Sequence, residues 1–276
     1  MNYYCLVAGL PDLHTEDSKG FLSLEDLRTE LTGQLTPADV KLLELLYAKY
    51  DNRNFLMFLK QRDAILNPLG NLNASDWDEL VRLMQETENP VDDRLPSYII
   101  SYYNFIQEEE NLVNGIFPED YLSGLYYAFA MKTDNKFLSA WFEFNLNLNN
   151  LLTAISCRKH GIEQQKLIIG HNEIAGILKH THARDYGIGN LFDYTDEVLK
   201  IAEESDLMER EKKIDALKWH WLDENTFFNY FSIEKVLAFV LKTEMLERWK
   251  MLSFEAGSAI FRDLLYSLKK DVIIKA

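Results

Sequence analysis

Apolar residues recur every three or four positions along most of this chain, and the strict alternation expected of β-strands is almost absent. Glycine and proline, which form the turns of β-proteins, are scarce at 12 and 6 residues in 276. Hydrophobic residues make up 47% of the chain, which is enough for a sizeable core. The sequence therefore predicts an all-α protein of about ten helices.

Several predicted helix ends carry capping residues. Thr36 followed by Pro37 predicts a strong helix start, because threonine caps a helix and proline presets the first helical φ. Ser75 is the predicted cap of a shorter helix, and Gly161 is placed to end a long one. The apolar segment from Tyr3 to Leu10 is either a short buried helix or a strand.

Two breaks divide the chain into three parts of similar length. Asn89 to Pro96 reads as a linker, and Asp185 to Asn190 reads as a turn with two glycines. We therefore predict three pseudo-repeated helical subdomains, 1–93, 94–186 and 187–276, which together form one continuous structural unit.

Each part contains a similar helix. In the first two, an asparagine is followed by apolar residues and then by an arginine eight positions later. The residues that define the repeat are Asn54, Arg62, Asn150, Arg158, Glu244 and Arg248. We predict a structural or interface role for them. The alternative is that any two leucine-rich amphipathic helices can be aligned in this way.

The middle helix is unusually rich in asparagine, which is a weak helix former. Asn145, Asn147, Asn149 and Asn150 all lie on it. A buried asparagine must pair its amide group. These side chains therefore either line an interface or tie neighbouring elements together.

The chain is strongly acidic, with a net charge of −15 and a pI near 4.9. An acidic surface repels phosphate groups, which argues against nucleic acid as a partner and against direct adhesion to anionic lipid. The charge serves either solubility alone or the binding of a basic protein. The chain has two cysteines, no apolar run long enough to span a bilayer and no signal-peptide pattern, so we expect a cytoplasmic protein.

We find no glycine-rich phosphate loop and no Gly-x-Ser-x-Gly motif. Four histidines lie close together, at His160, His171, His180 and His182. Their spacing matches no metal-ligand pattern, so solvent-facing histidines are favoured over a metal site. We expect no catalytic residue, cofactor or metal. An enzyme that assembles a scattered site from these histidines with Asp185 or Glu203 is kept as an alternative.

Aromatic residues are dense near the last predicted helices, at Trp219, Trp221, Phe227, Phe228, Tyr230 and Phe231. They are either part of the core or a protein-binding patch, because aromatic side chains anchor many interfaces.

Two segments resemble the C/d subunits of the V/A-type rotary ATPases, for which d is the eukaryotic name. They are Leu148 to Arg158, with its Asn-Leu pair and terminal arginine, and Ile233 to Leu252, with its glutamates before Arg248. The whole chain also resembles DUF2764, an uncharacterised bacterial family associated with V-type ATPases. That similarity rests on the start, Tyr3 to Leu13, and on the stretch from Asp185 to Trp249.

These resemblances imply a funnel-like architecture of three similar helical subdomains. They further imply a non-catalytic coupling subunit of the rotor, on the cytoplasmic face of the inner membrane, that links the central shaft to the membrane ring. Its partners would be protein subunits, and its contact with the membrane would be indirect. A helical scaffold or adaptor that is unrelated to the ATPase is the alternative.

Overall fold

The computed structural model describes residues 2–15, 22–88, 90–108 and 117–251. These residues form eleven α-helices, one short 3₁₀ helix at Gln164–Lys166 and no β-strand, which confirms the predicted all-α class. In chain order the helices are α1 (Tyr4–Gly9), α2 (Leu24–Gln34), α3 (Pro37–Lys60), α4 (Ala74–Glu86), α5 (Ser97–Gln107), α6 (Pro118–Ala130), α7 (Lys136–His160), α8 (Glu173–His180), α9 (Thr195–Ala202), α10 (Leu207–Thr226) and α11 (Ile233–Met251).

The long helices begin and end where their capping residues predict. The Thr36 side chain accepts a hydrogen bond from the backbone N–H of Asp39, and Pro37 is the first residue of α3. Gly161 ends α7 with a φ of 67°, a left-handed conformation that glycine adopts without a steric cost. The ambiguous segment near the start is helical, as α1.

The predicted cap of α4 is wrong. Asn73 caps this helix, because its side chain accepts from the backbone N–H of both Ser75 and Asp76, and the Asp76 carboxylate accepts from the N–H of Asn73. This reciprocal pairing satisfies more backbone donors than a serine two positions later could. The sequence also predicts a helix from Ala256 to Lys270, a segment that lies outside the described residues.

The chain divides into two compact units. Unit 1 comprises Met1–Leu35 and Asp215–Ala276, and unit 2 comprises Thr36–Ile214. In unit 1, α11 packs against α2, and the Glu247 carboxylate accepts from the backbone N–H of Leu24 at 3.3 Å. The three-part division of the chain stays a prediction.

Unit 2 is organised around α7, which packs against α6, α8 and α9. Much of its core is aromatic, and Phe55 of α3 stacks on Trp77 of α4 with ring centroids 4.9 Å apart. Both of these side chains are completely buried. Each contributes about 2–3 kcal/mol through burial, so α4 is held mainly by its apolar face.

Candidate functional site

Asn54 binds the loop that joins α3 to α4. Its Nδ2 donates to the backbone carbonyl of Asn67 at 3.0 Å, and its Oδ1 accepts from the backbone N–H of the same residue at 2.8 Å. The side chain is completely buried. One amide thus satisfies both backbone groups of a loop residue, and we call this pair the first clamp.

Asn150 binds the loop that joins α7 to α8 in the same way. Its Nδ2 donates to the carbonyl of Ile169 at 2.8 Å, and its Oδ1 accepts from the N–H of Ile169 at 3.1 Å. This pair is the second clamp. Because both asparagines are buried, they tie neighbouring elements together and do not face a partner.

A second polar residue supports each clamp three positions earlier on the same helix. The Asp51 carboxylate accepts from the N–H of Leu72 at 3.0 Å and from the Asn71 side chain at 2.5 Å. Asn147 accepts from the Asn172 side chain at 2.8 Å. Each long helix therefore holds its following loop at two points, one helical turn apart.

The two predicted arginines also act on the segments that follow these helices. Arg62 pairs with Asp78 of α4 at 3.2 Å, and both side chains are largely exposed. The Arg158 guanidinium lies 3.8 Å from the ring centroid of Tyr186, which is buried and has a φ of 59°. A non-glycine residue rarely adopts this left-handed conformation, so the stacking holds a strained turn.

The third predicted helix, α11, makes a different arrangement. Arg248 forms an ion pair with Asp215, and the Trp249 Nε1–H donates to the same carboxylate at 2.8 Å. Asp215 is buried, whereas Arg248 is exposed and Glu244 is half-buried. This site joins α11 to α10 through a carboxylate, without an amide clamp on a loop.

The aromatic residues near α10 divide into two groups. Trp221 is buried and Trp219 is half-buried, with the Lys242 Nζ 4.5 Å from its ring centroid. Burial lowers the pKa of Lys242, while its ion pair with Asp223 opposes that shift. These two tryptophans belong to the packed part of unit 1.

The turn between α10 and α11 presents three of the other aromatic residues to solvent, whereas Phe231 is half-buried. Phe228 is 92% exposed, Phe227 71% and Tyr230 63%. The α10 helix ends at Thr226, whose hydroxyl donates to the Leu222 carbonyl at 2.7 Å, and the exposed aromatic residues follow directly after it.

Tyr4 of α1 extends this surface. Its ring centroid is 4.7 Å from that of Phe231, and the backbone N–H of Tyr3 donates to the Phe231 carbonyl at 2.6 Å. Tyr4 is itself 55% exposed. We call the set of Tyr4, Phe227, Phe228, Tyr230 and Phe231 the aromatic patch. Large apolar side chains that are exposed side by side mark sites of interaction.

A family model described as "Protein of unknown function (DUF2764)" matches residues 1–272. The chain belongs to this family. No curated protein and no solved structure gives a significant match. The similarity to the C/d subunits of the rotary ATPases therefore stays a prediction.

The histidines of this DUF2764 protein are all exposed at the four predicted positions, His160, His171, His180 and His182. Asp185 accepts from the N–H of Gly187 at 3.2 Å, which is a local turn contact, and Glu203 is exposed. Within the described ranges, no group of three histidine, cysteine or carboxylate side chains has a geometry that could hold a metal ion.

The sequence did not reveal two parts of these sites in this DUF2764 protein. Tyr4 was not assigned to the aromatic patch, because its contact with Phe231 joins opposite ends of the described chain. Asp215 was not paired with Arg248, because nothing distinguishes it from the many other carboxylates. The density of asparagine on α7 was the sequence signal that pointed to the second clamp.

Among the described residues, every helix is too short or too polar to cross a bilayer.

Proposed function

We propose that this DUF2764 protein is a non-catalytic coupling subunit in the central stalk of a bacterial V/A-type ATPase, where it links the central shaft to the membrane ring. The aromatic patch is the observation that carries the proposal. Exposed, clustered aromatic side chains are the residues that most often anchor a protein interface. The identity of the partners rests on the resemblance of Leu148 to Arg158 and of Ile233 to Leu252 to the C/d subunits.

The charge of the chain supports a basic partner. With a net charge of −15, the protein would attract and orient a basic shaft foot during encounter. The same charge disfavours nucleic acid and anionic lipid. We therefore place the protein at the cytoplasmic face of the inner membrane, in contact with the bilayer only through the ring.

A rotor subunit must transmit torque without yielding. The two clamps fix the loops after α3 and α7 to the helices themselves, which leaves few soft connections in unit 2. No bond is made or broken in such a subunit, so the proposed role needs no catalytic residue, cofactor or metal.

The alternative function is a helical scaffold or adaptor unrelated to the ATPase. The aromatic patch would serve that role equally well, because it indicates a protein interface but does not identify the partner. An enzyme built from the exposed histidines, Asp185 and Glu203 is a weaker alternative.

The test is to purify tagged protein from detergent-solubilised membranes of its own cells and to quantify the accompanying proteins by mass spectrometry. The patch variant is Phe227→Ser with Phe228→Ser. The matched control is Ile65→Ser with Val91→Ser, which removes two apolar side chains that are 92% and 91% exposed in unit 2.

For the parent and the control, we expect shaft, ring and head subunits in a fixed ratio to the tagged chain. For the patch variant, we expect at least a tenfold loss of these subunits at an unchanged melting temperature. If the parent sample contains other soluble proteins but no ATPase subunit, and the patch variant loses those proteins, the result would support the adaptor function. Equal recovery with the patch variant would show that the patch is not the interface.

A further inference from the structure

A cavity of about 390 Å³ lies in unit 2 between α3, the loop held by the first clamp, and the start of α5. This volume is within the range of small-ligand pockets. Its floor is apolar, with Leu45 and Ala48 of α3 and Ile99 of α5. Most of the remaining wall is polar or aromatic, and neither the clamps nor the aromatic patch explains it.

Trp77 lines this cavity and carries an unsatisfied polar atom. The side chain is completely buried, and its Nε1–H has no hydrogen-bond partner among the described residues. More than nine in ten buried polar groups in proteins have a partner. This N–H therefore lies unpaired next to the cavity, where its resonance can report on a molecule that binds there.

The charged groups on the wall are mainly negative. Four carboxylates line the cavity, against the two cations Lys41 and Arg94. Arg94 is already neutralised, because it pairs with Asp76 at 3.0 Å and with Asp92 at 2.8 Å. Glu44 and Asp93 lie at the open side, where they are exposed. The field in the cavity therefore favours a cation.

Two aromatic rings on the wall favour the same charge. Tyr98 and Phe129 both line the cavity, with ring centroids 5.2 Å apart. The Tyr98 hydroxyl donates to Asn52 at 2.7 Å, and burial raises the pKa of this tyrosine, so the ring stays neutral. The faces of neutral aromatic rings attract ammonium and guanidinium groups.

We propose that this cavity binds an organic cation on an apolar stem, as in a lysine or arginine side chain. The cation lies between the aromatic rings and the carboxylates of Glu44 and Asp93, and the apolar stem contacts the floor. The cation comes either from a free small molecule or from a side chain of a bound protein. This inference is independent of the proposed ATPase role.

The test follows the indole N–H resonances of the full chain by nuclear magnetic resonance after ¹⁵N labelling of tryptophan. The chain has five tryptophans, and Trp77→Phe identifies the resonance of interest by removing it. The probe is Nα-acetyl-lysine methylamide. Its controls are the norleucine analogue, which has the same stem without the charge, and the glutamate analogue.

We expect the lysine probe to shift the Trp77 resonance saturably, and the norleucine and glutamate probes to bind at least tenfold more weakly. Asp93→Asn should weaken the lysine probe at least threefold, whereas Asp63→Asn, an exposed carboxylate outside the cavity wall, should leave it unchanged. Asp93 is exposed, so its replacement by asparagine keeps the fold.

Equal binding of the lysine and norleucine probes would overturn the proposal, because the cavity would then be only apolar. A resonance that no probe moves would also overturn it. A capped pentapeptide with a central lysine separates the two sources. Tenfold tighter binding of the pentapeptide than of the single residue supports a protein segment, and equal binding supports a small molecule.

Discussion

The first and second clamps use the same hydrogen bonds but sit in different surroundings. In both, a buried asparagine on a long helix pairs with the N–H and C=O of one loop residue. The first clamp has a carboxylate, Asp51, as its supporting residue, and the second has an amide, Asn147. A loop that enters the core brings backbone N–H and C=O groups that must be paired, and in both clamps the asparagine amide pairs with them.

The two sites differ further in the contacts of the nearby arginine and in the cavity that each loop borders. Arg62, after the first clamp, forms an exposed ion pair and lies 4.7 Å from the ring centroid of the buried Phe58, whereas Arg158, after the second, stacks at 3.8 Å on the buried Tyr186. The loop of the first clamp borders the cavity that contains the unsatisfied Trp77 N–H. The loop of the second borders a cavity of about 430 Å³ that includes Asp120. The comparison shows that the asparagine clamp is common to both sites, whereas the residues and cavities around it differ.

The largest expected effect comes from removing a clamp. Asn54→Ala or Asn150→Ala leaves one N–H and one C=O of a loop residue unpaired, and each unpaired group costs about 1–3 kcal/mol. We expect the free energy of unfolding in urea to fall by about 3 kcal/mol in either variant. Asn149→Ala is the matched control on α7, because this amide is exposed, and it should cost less than about 0.5 kcal/mol. A similar loss for Asn149→Ala and Asn150→Ala would contradict the clamp.

A glycine next to each clamp should distinguish the two. A methyl group on Gly70 would overlap the Asn54 Nδ2 and lie 3.0 Å from the Asp51 carboxylate, so Gly70→Ala should displace the first clamp and cost about 2 kcal/mol. Gly170 has a φ of 83°, and its methyl group would instead meet Leu146 at 3.0 Å. Gly170→Ala should cost about 1–2 kcal/mol through backbone strain.

Double variants measure this difference. Gly70→Ala combined with Asn54→Ala should cost clearly less than the two changes added, because both break the same contact. Gly170→Ala combined with Asn150→Ala should come closer to additivity, because the methyl group at Gly170 meets Leu146 and not the clamp amide. Gly176→Ala in α8, where a methyl group meets nothing, is the control and should be neutral or stabilising. Additivity at Gly70 and Asn54 would refute the proposed overlap.

The sequence predicted the parts of this structure that depend on local chemistry. Periodicity gave the all-α class, and Thr36 and Gly161 marked helix ends because capping acts within one turn. Asn54 and Asn150 were identified as residues that need partners. Their partners were not predictable, because backbone N–H and C=O groups occur at every residue and leave no mark in the sequence.

Which of the aromatic residues are exposed was likewise not predictable from the sequence. Trp221 and Phe228 have similar sequence surroundings, yet one is buried and the other is 92% exposed. The difference arises because α10 ends between them, at Thr226. A sequence pattern gives the periodicity of a helix, but which aromatic residues lie beyond its end and remain uncovered depends on tertiary packing.

The arginines that follow the clamps should show a smaller contrast. Arg158→Ala removes the guanidinium from the buried ring of Tyr186 and should cost about 1 kcal/mol. Arg62→Ala should cost less, because its ion pair with Asp78 is largely exposed and its guanidinium lies farther, at 4.7 Å, from the ring centroid of Phe58. Urea unfolding measures both, and Arg158→Lys, which keeps the charge without the flat group, should recover less than half of the loss. No measurable cost for Arg158→Ala would mean that the stacking does not support the turn.

The smallest expected effect lies in the cavity beside the second clamp. Burial, and then the neighbouring charge of Glu119, raises the pKa of Asp120 above its usual value. A raised pKa in the folded state means that the folded protein binds the proton more tightly, so stability is lost as the pH rises through that value. Asp120→Asn, which carries no charge, should therefore be more stable than the parent at pH 7, by about 0.5 kcal/mol because solvent screens this half-buried group.

Thermal unfolding as a function of pH checks this prediction. The advantage of Asp120→Asn should disappear below about pH 3, where the carboxyl group is protonated in both folded and unfolded chains. It should also shrink when Glu119→Gln is introduced, because that change removes the second cause of the raised pKa. A lower melting temperature for Asp120→Asn at pH 7 would instead mean that the ionised carboxylate stabilises the wall next to the second clamp. Each clamp would then have a carboxylate that supports it. The presence of Asp51 at one clamp and of Asn147 at the other would therefore no longer distinguish the two.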